Sequence, residues 1–186
     1  MNKQASRING GNGTYGRKEK DFYPTPPEVT VALLKELNIS KLSTIWEPAC
    51  GQGHMVKTME SMGYHVIGTD IQNGIDFLKA PLVDCDWIIT NPPFSLADKF
   101  IRRCWEYKKP FALLLKAQYW NAAKRVVLFQ ECRPLLIMPL TWRPDFTGKG
   151  GAMMDMSWCV WIPGSEGQTS FQLLRKPEIW GMSNYA

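Results

Sequence analysis

A glycine-punctuated turn between two short apolar runs limits how this chain can fold more than any other feature. Thr44-Ile45-Trp46-Glu47 reads as a buried strand, Pro48-Ala49-Cys50-Gly51-Gln52-Gly53 as a turn, and His54 to Met62 as the helix that the turn feeds. Gly63 closes that helix, and Tyr64-His65-Val66-Ile67-Gly68-Thr69-Asp70 forms a second strand ending in an acid. Such a strand, glycine loop, helix and acid-tipped strand is how α/β folds hold a nucleoside. Glycines let the ligand approach the backbone, and the acid accepts from ribose hydroxyls. The loop carries Gly51-x-Gly53 but no third glycine before the helix. A pyrophosphate-binding fingerprint therefore fits poorly, and a nucleoside without phosphates fits better.

The second constraint lies at Asn91-Pro92-Pro93-Phe94, directly after the apolar run Trp87-Ile88-Ile89-Thr90. Both prolines have fixed φ and no N–H, so the carbonyls of Asn91 and Pro92 remain available to accept from an amino group, and Phe94 can stack on the ring that carries it. The pattern is a grip for a planar aromatic amine whose lone pair stays open to attack.

Around these motifs the chain alternates. Pro27 to Asn38 reads as an amphipathic helix with Thr25 as its N-cap and Val29, Leu33, Leu34 and Leu37 on one face. Phe22, Tyr23 and Pro24 form a rigid aromatic elbow ahead of it, suited to one wall of a small-molecule pocket. Leu96 to Tyr107 and Asn121 to Cys132 read as helices; Phe111 to Lys116, Leu135 to Met138 and Ser157 to Ile162 read as strands. The expected architecture is a doubly wound, Rossmann-like α/β domain with a mostly parallel seven-stranded sheet ending in an antiparallel hairpin, and a ligand site at the strand carboxyl ends.

At 186 residues, 45% of them hydrophobic, the chain is expected to form one compact domain over residues 21–186. Residues Met1 to Lys20 hold almost no apolar side chains and read as a flexible basic tail suited to phosphate contacts. A net charge of +5 favours an anionic partner. The five cysteines include no CxxC pair and are odd in number, which argues for reduced thiols in a cytoplasm instead of a disulfide framework or a zinc cluster. His54 and His65 have no partner cluster and read as structural; no metal is expected. No apolar run is long enough for a membrane span, and the N-terminal stretch lacks a signal-type core. Between the last two strands, Leu140 to Gly151 contains Trp142, Arg143, Phe146 and Lys149, which are stacking planes and cations suited to an unstacked nucleotide.

Taken together, Glu47-Pro48-Ala49-Cys50-Gly51-Gln52-Gly53 followed by Asn91-Pro92-Pro93-Phe94 resembles the S-adenosylmethionine-dependent amino-methyltransferases, most closely the adenine-N6 DNA methyltransferases of bacteria and phages, over about Asp21 to Ile162. The resemblance implies S-adenosylmethionine as cofactor and the N6 amine of adenine in DNA as acceptor. It places Phe22, Tyr23 and Thr25 in a cofactor segment, Glu47, Pro48, Ala49, Gly51 and Gly53 in the methionine-binding loop, Asp70 at the ribose, and Asp76-Phe77 at the cofactor adenine. Asn91, Pro92, Pro93 and Phe94 would be the catalytic tetrapeptide, and the Trp142 to Gly151 loop would hold the target. Asn-Pro-Pro-aromatic also resembles enzymes methylating protein glutamine amides or RNA guanine amines. An inactive nucleic-acid-binding module is the non-enzymatic alternative.

Overall fold

The computed structural model describes residues 24–148, 150 and 154–178. Among these residues four helices, α1 (Pro27–Leu37), α2 (His54–Ser61), α3 (Ala97–Glu106) and α4 (Val126–Glu131), accompany seven strands. These are β1 (Thr44–Glu47), β2 (His65–Gly68), β3 (Trp87–Thr90), β4 (Phe111–Lys116), β5 (Leu136–Pro139), β6 (Met156–Trp161) and β7 (Ser170–Phe171). They form one sheet in the order β2-β1-β3-β4-β6-β5-β7. β1 to β4 pair in parallel, and β6 runs antiparallel to both β4 and β5. The expected mostly parallel sheet with an antiparallel hairpin is what the chain forms.

Strict alternation of side chains sorts the sheet into two cores. On one face, Ile45, Ile89, Ala112, Leu114, Trp158 and Val160 meet Val29, Leu33 and Leu34 of α1 and Met55 and Met59 of α2. On the other, Trp46, Ile88, Phe111, Leu113, Leu115, Cys159 and Trp161 meet Ala97, Phe100, Ile101 and Cys104 of α3 and Leu128 of α4. Strands covered on both sides read as continuous apolar runs, which is why they could be placed from sequence. The two fully buried indoles of β6 find acceptors: Trp158 donates to the Val29 carbonyl at 3.0 Å, and Trp161 to that of Cys132 at 2.8 Å.

Several expectations shift. The N-cap of α1 is Pro26, with no side-chain cap, so Thr25 does not cap the helix. The segment expected as one helix from Asn121 splits into a 3-10 turn at Ala123–Arg125 and the short α4. β7 lies in the stretch after Pro163 that sequence patterning left without an element, and it pairs in parallel with β5 at Leu136↔Ser170 and Ile137↔Phe171. The basic segment 1–20 lies outside the described residues. Among the described residues no helix is long and apolar enough to cross a membrane.

The chain leaves β1 for β2 on one side and returns to β3 on the other, so β1 and β3 diverge at a topological switch point, where α/β sheets open a crevice at the strand carboxyl ends. Glu47 ends β1 and Asn91 follows β3.

Candidate active site

At that crevice lies a cavity of about 420 Å3 lined by residues of the α1 approach (Pro24, Thr25), the glycine loop (Glu47, Ala49, Cys50, Gly51), α2 (His54, Met55), the β2 tip (Asp70, Ile71, Gln72) and the β3 exit (Asn91, Pro93). Its size falls within the range of small-molecule sites.

Backbone geometry explains the loop. Gly51 and Gly53 have φ of 50° and 76°, which residues with a Cβ adopt only under strain, and Gly53 caps α2 from the left-handed region. The missing third glycine has a substitute in space. A Cβ on Gly68 would lie 2.9 Å from Val56 Cγ2 and 3.4 Å from Cys50, so the close approach of α2 to the sheet depends on a glycine in β2.

Two carboxylates flank the loop in contrasting states. Asp70 accepts from the backbone N–H of Gly51 at 2.9 Å and from that of Gln72 at 2.8 Å, tying the loop to the tip of β2. Glu47 is 2% exposed, and its Oε2 is buried without a hydrogen-bond partner among the described atoms. Burial pushes its carboxyl up to about 8, against a lowering backbone hydrogen bond from Val56 and with a smaller push from the Asp70 charge. An orphaned carboxyl on a cavity wall is a receptor for a cation such as a primary ammonium. Burial likewise raises the Cys50 thiol to about 11, so it offers no thiolate at neutral pH, and lowers His54.

At the β3 exit, Asn91 Nδ2 donates to Thr25 Oγ1 at 3.1 Å. Pro93 lines the main cavity, whereas Phe94 lines a smaller one of about 150 Å3 with Ala97, Leu115, Lys116, Gln118, Tyr119 and Arg125. Lys116 Nζ lies 4.8 Å from the Phe94 ring centroid.

Of the residues singled out in the sequence, Thr25, Glu47, Ala49, Gly51, Asp70, Asn91 and Pro93 share the main cavity. Pro48 and Pro92 are buried beside it, and Gly53 lies behind the loop at the start of α2. Asp76 and Phe77 are not in the lining. Phe77 sits in the second core against Trp46 and Phe100, and Asp76 bonds the Leu78 N–H and Lys79. The target loop differs from expectation. Phe146 is 5% exposed within the first core, Trp142 is half-buried against it, and Arg143 is paired with Asp155 at 2.7 Å. Phe146 thus offers no open stacking plane in this conformation. Phe22, Tyr23 and Lys149 lie outside the described residues. His54, Met55, Ile71 and Gln72 were not anticipated in the lining; their signal in the sequence is adjacency to Gly53 and Asp70.

No protein-family model and no curated protein sequence matches the chain. Solved structures do. A protein from Pyrococcus horikoshii described as an RNA methyltransferase superposes with a TM-score of 0.62 at 12% identity, over 86% of this chain and 98% of that one. One from Listeria monocytogenes described as a class I S-adenosylmethionine-dependent methyltransferase gives 0.59 at 16% identity, over 91% and 72%. A protein from Vibrio vulnificus described as the modification subunit of a type I restriction enzyme gives 0.56 at 13%, over 94% of this chain and 50% of that one. At such identities the likeness is one of fold, and the fold that these superpositions and the sheet order identify is the Rossmann-like fold of class I methyltransferases.

Proposed function

We propose that the chain is an S-adenosylmethionine-dependent methyltransferase acting on the N6 amine of adenine in DNA with little sequence specificity. The observation that carries this reading is the convergence of Glu47, Ala49 and Gly51 of the loop, Asp70, and Asn91 and Pro93 on one cavity at the switch point. The residues present fit the cofactor. Glu47, with its orphaned Oε2, takes the ammonium of the amino-acid arm; Gly51 lets the arm approach the loop; Ile71, 68% exposed at the cavity wall, gives the nucleobase an apolar face. Asp70 holds the loop through the Gly51 N–H, accepts also from the Gln72 N–H, and keeps lone pairs for ribose hydroxyls.

When bound, the cofactor supplies a methyl group already activated on a sulfonium sulfur, so no metal and no strong base are needed. The chain's task is alignment. Asn91 Oδ1 and the Pro92 carbonyl accept from the two amine hydrogens, drawing the exocyclic nitrogen toward a tetrahedral shape with its lone pair toward the methyl carbon. Phe94 stacks on the flipped adenine from the side of the smaller cavity. With the cofactor held by Glu47, Gly51 and Asp70, the nitrogen–carbon bond would form as the carbon–sulfur bond breaks, and the proton that the nitrogen sheds would leave to solvent.

One observation favours a second acceptor: the Pyrococcus structure that covers most of both chains is described as an RNA methyltransferase. The test is incubation with methyl-labelled cofactor and DNA, RNA or total protein, then digestion and analysis of the labelled products. Label in N6-methyladenine from DNA is expected. Label confined to an RNA nucleoside or to glutamine replaces the acceptor, and absence of label from all three refutes the reading.

A further inference from the structure

Thr25 and Asn91 are 66 residues apart in sequence, yet the Thr25 hydroxyl accepts from Asn91 Nδ2. Several features hold that hydroxyl still. Thr25 is 4% exposed, and the two prolines after it restrict its backbone to the extended region. The Pro26 carbonyl accepts from the Val29 N–H at 3.0 Å, and Val29 in turn accepts from Trp158 in the middle of the sheet. Because α1 takes no side-chain cap, the hydroxyl is not consumed at the helix start. It lies on the wall of the main cavity, where its one proton can be given to an acceptor on a bound ligand.

An asparagine amide has two nearly isosteric orientations that differ only in whether oxygen or NH2 faces a given neighbour. For a methyl acceptor that is itself an amine, only the oxygen-forward orientation is useful; the reverse sets donor against donor. Building on the methyltransferase reading above, we propose that Thr25 is a positioning residue for Asn91. Its hydroxyl captures Nδ2, which leaves Oδ1, buried in this conformation, as the amide atom that accepts from the acceptor amine. The arrangement also links the two halves of the site. Once a ligand in the cavity has taken the hydroxyl proton, the Thr25 oxygen can only accept, so the reverse orientation of Asn91 loses its partner. A filled cofactor site thereby sets the amide that grips the second substrate.

The test compares Thr25→Val, which keeps the shape and loses the hydroxyl, with Thr25→Ser, which keeps the hydroxyl. At saturating cofactor, Thr25→Val should lower kcat about tenfold, beside up to about tenfold weaker binding of the demethylated cofactor for the hydroxyl proton it no longer receives, and Thr25→Ser should stay within about threefold of wild type in both. Wild-type turnover in Thr25→Val overturns the proposal. So does equal impairment of both variants, which marks a packing role, or a loss appearing wholly in cofactor affinity, which marks a cofactor wall only. A second readout needs no turnover. The Asn91 side-chain NH2 signals in a nitrogen–proton correlation spectrum, assigned by their disappearance in Asn91→Ala, should move in Thr25→Val and stay in Thr25→Ser; signals unmoved in Thr25→Val refute the contact. If the wild-type protein methylates nothing, the proposed function falls, and the spectrum still decides on Thr25.

Discussion

Replacing Glu47 by Gln should make the ligand-free protein more stable at neutral pH and a worse binder of cofactor. Burial raises the Glu47 carboxyl from an ordinary 4.5 to about 8, so between those values the unfolded chain holds an ionised Glu47 and the folded one a protonated one. The folded state binds the extra proton. This group's stabilising contribution is therefore complete below pH 4.5 and is lost as pH rises toward 8. At ~1.4 kcal/mol per pH unit, proton uptake at pH 7 costs about 3 kcal/mol, an upper bound because water entering the open cavity screens the charge. The amide takes up no proton, and its NH2 replaces the carboxyl O–H as the group left facing the cavity, so the cost of that orphaned donor is common to both forms. The assay is thermal melting of both proteins from pH 5 to 8.5. Glu47→Gln should match wild type near pH 5 and melt higher at pH 7, by up to ~6–12 °C for a chain of this size. With the demethylated cofactor the order reverses. Wild-type affinity should climb up to about tenfold per pH unit between pH 6 and 8 as Glu47 releases its proton to face an ammonium, and the variant's affinity should stay flat and weaker. A melting difference that does not grow with pH, or a wild-type affinity that does not rise, refutes both the buried-carboxyl argument and the ammonium assignment.

Asn91→Ala should abolish methyl transfer while calorimetry finds cofactor binding within a few-fold of wild type, since the amide acts on the acceptor amine. Asp70→Ala removes one bond to the loop at Gly51 and one to the turn that follows β2 at Gln72, so it should cost about 2–4 kcal/mol in denaturant unfolding and weaken cofactor binding together. Gly68→Ala should lower the melting temperature by pushing α2 off the sheet at Val56, and Val56→Ala in the same chain should restore part of the loss. Arg143→Ala leaves a surface pair with Asp155 and should not move the melting curve; if the loop contacts phosphate, it lowers the slope of log affinity against log salt by about one.

The strands and the loop were legible because their causes are local. β1, β3, β4 and β6 are buried on both faces and so are almost continuously apolar, and Gly51 and Gly53 mark φ values that residues with a Cβ adopt only under strain. What escaped is set by distant contacts. Ser170 and Phe171 are exposed and carry no strand pattern; they become β7 because the edge of β5 stands open beside them. Thr25 has the chemistry of an N-cap, but with Pro26 in the capping position its hydroxyl serves Asn91 instead. The aromatic, cationic composition of the Trp142 to Gly151 loop suggested a nucleotide grip, whereas the fold spends Phe146 on the core formed with Leu140 and Leu174. An aromatic ring beside a lysine looks the same in sequence whether it faces solvent or the protein interior.

The two acids beside the glycine loop show how one short segment can be both rigid and receptive. Asp70 and Glu47 sit at the ends of adjacent strands, and β1 and β2 are in register at Glu47↔Gly68, so the loop is bracketed by carboxylates on neighbouring tips. Both Asp70 oxygens are engaged by backbone N–H groups, and the loop is held by its negative charge. Glu47 accepts from the Val56 N–H but leaves Oε2 without a partner among the described atoms, and burial holds its carboxyl up at about 8. Had both acids been satisfied internally, the cavity would have no group with which to tell a cationic ligand from a neutral one. Had both been left open, like charges at this separation would drive one of them to protonate and the loop would lose its tether. Under the proposed reading the asymmetry divides the work: Asp70 anchors the loop against which the cofactor's amino-acid arm would lie, and Glu47 would become charged as the ammonium of that arm arrives.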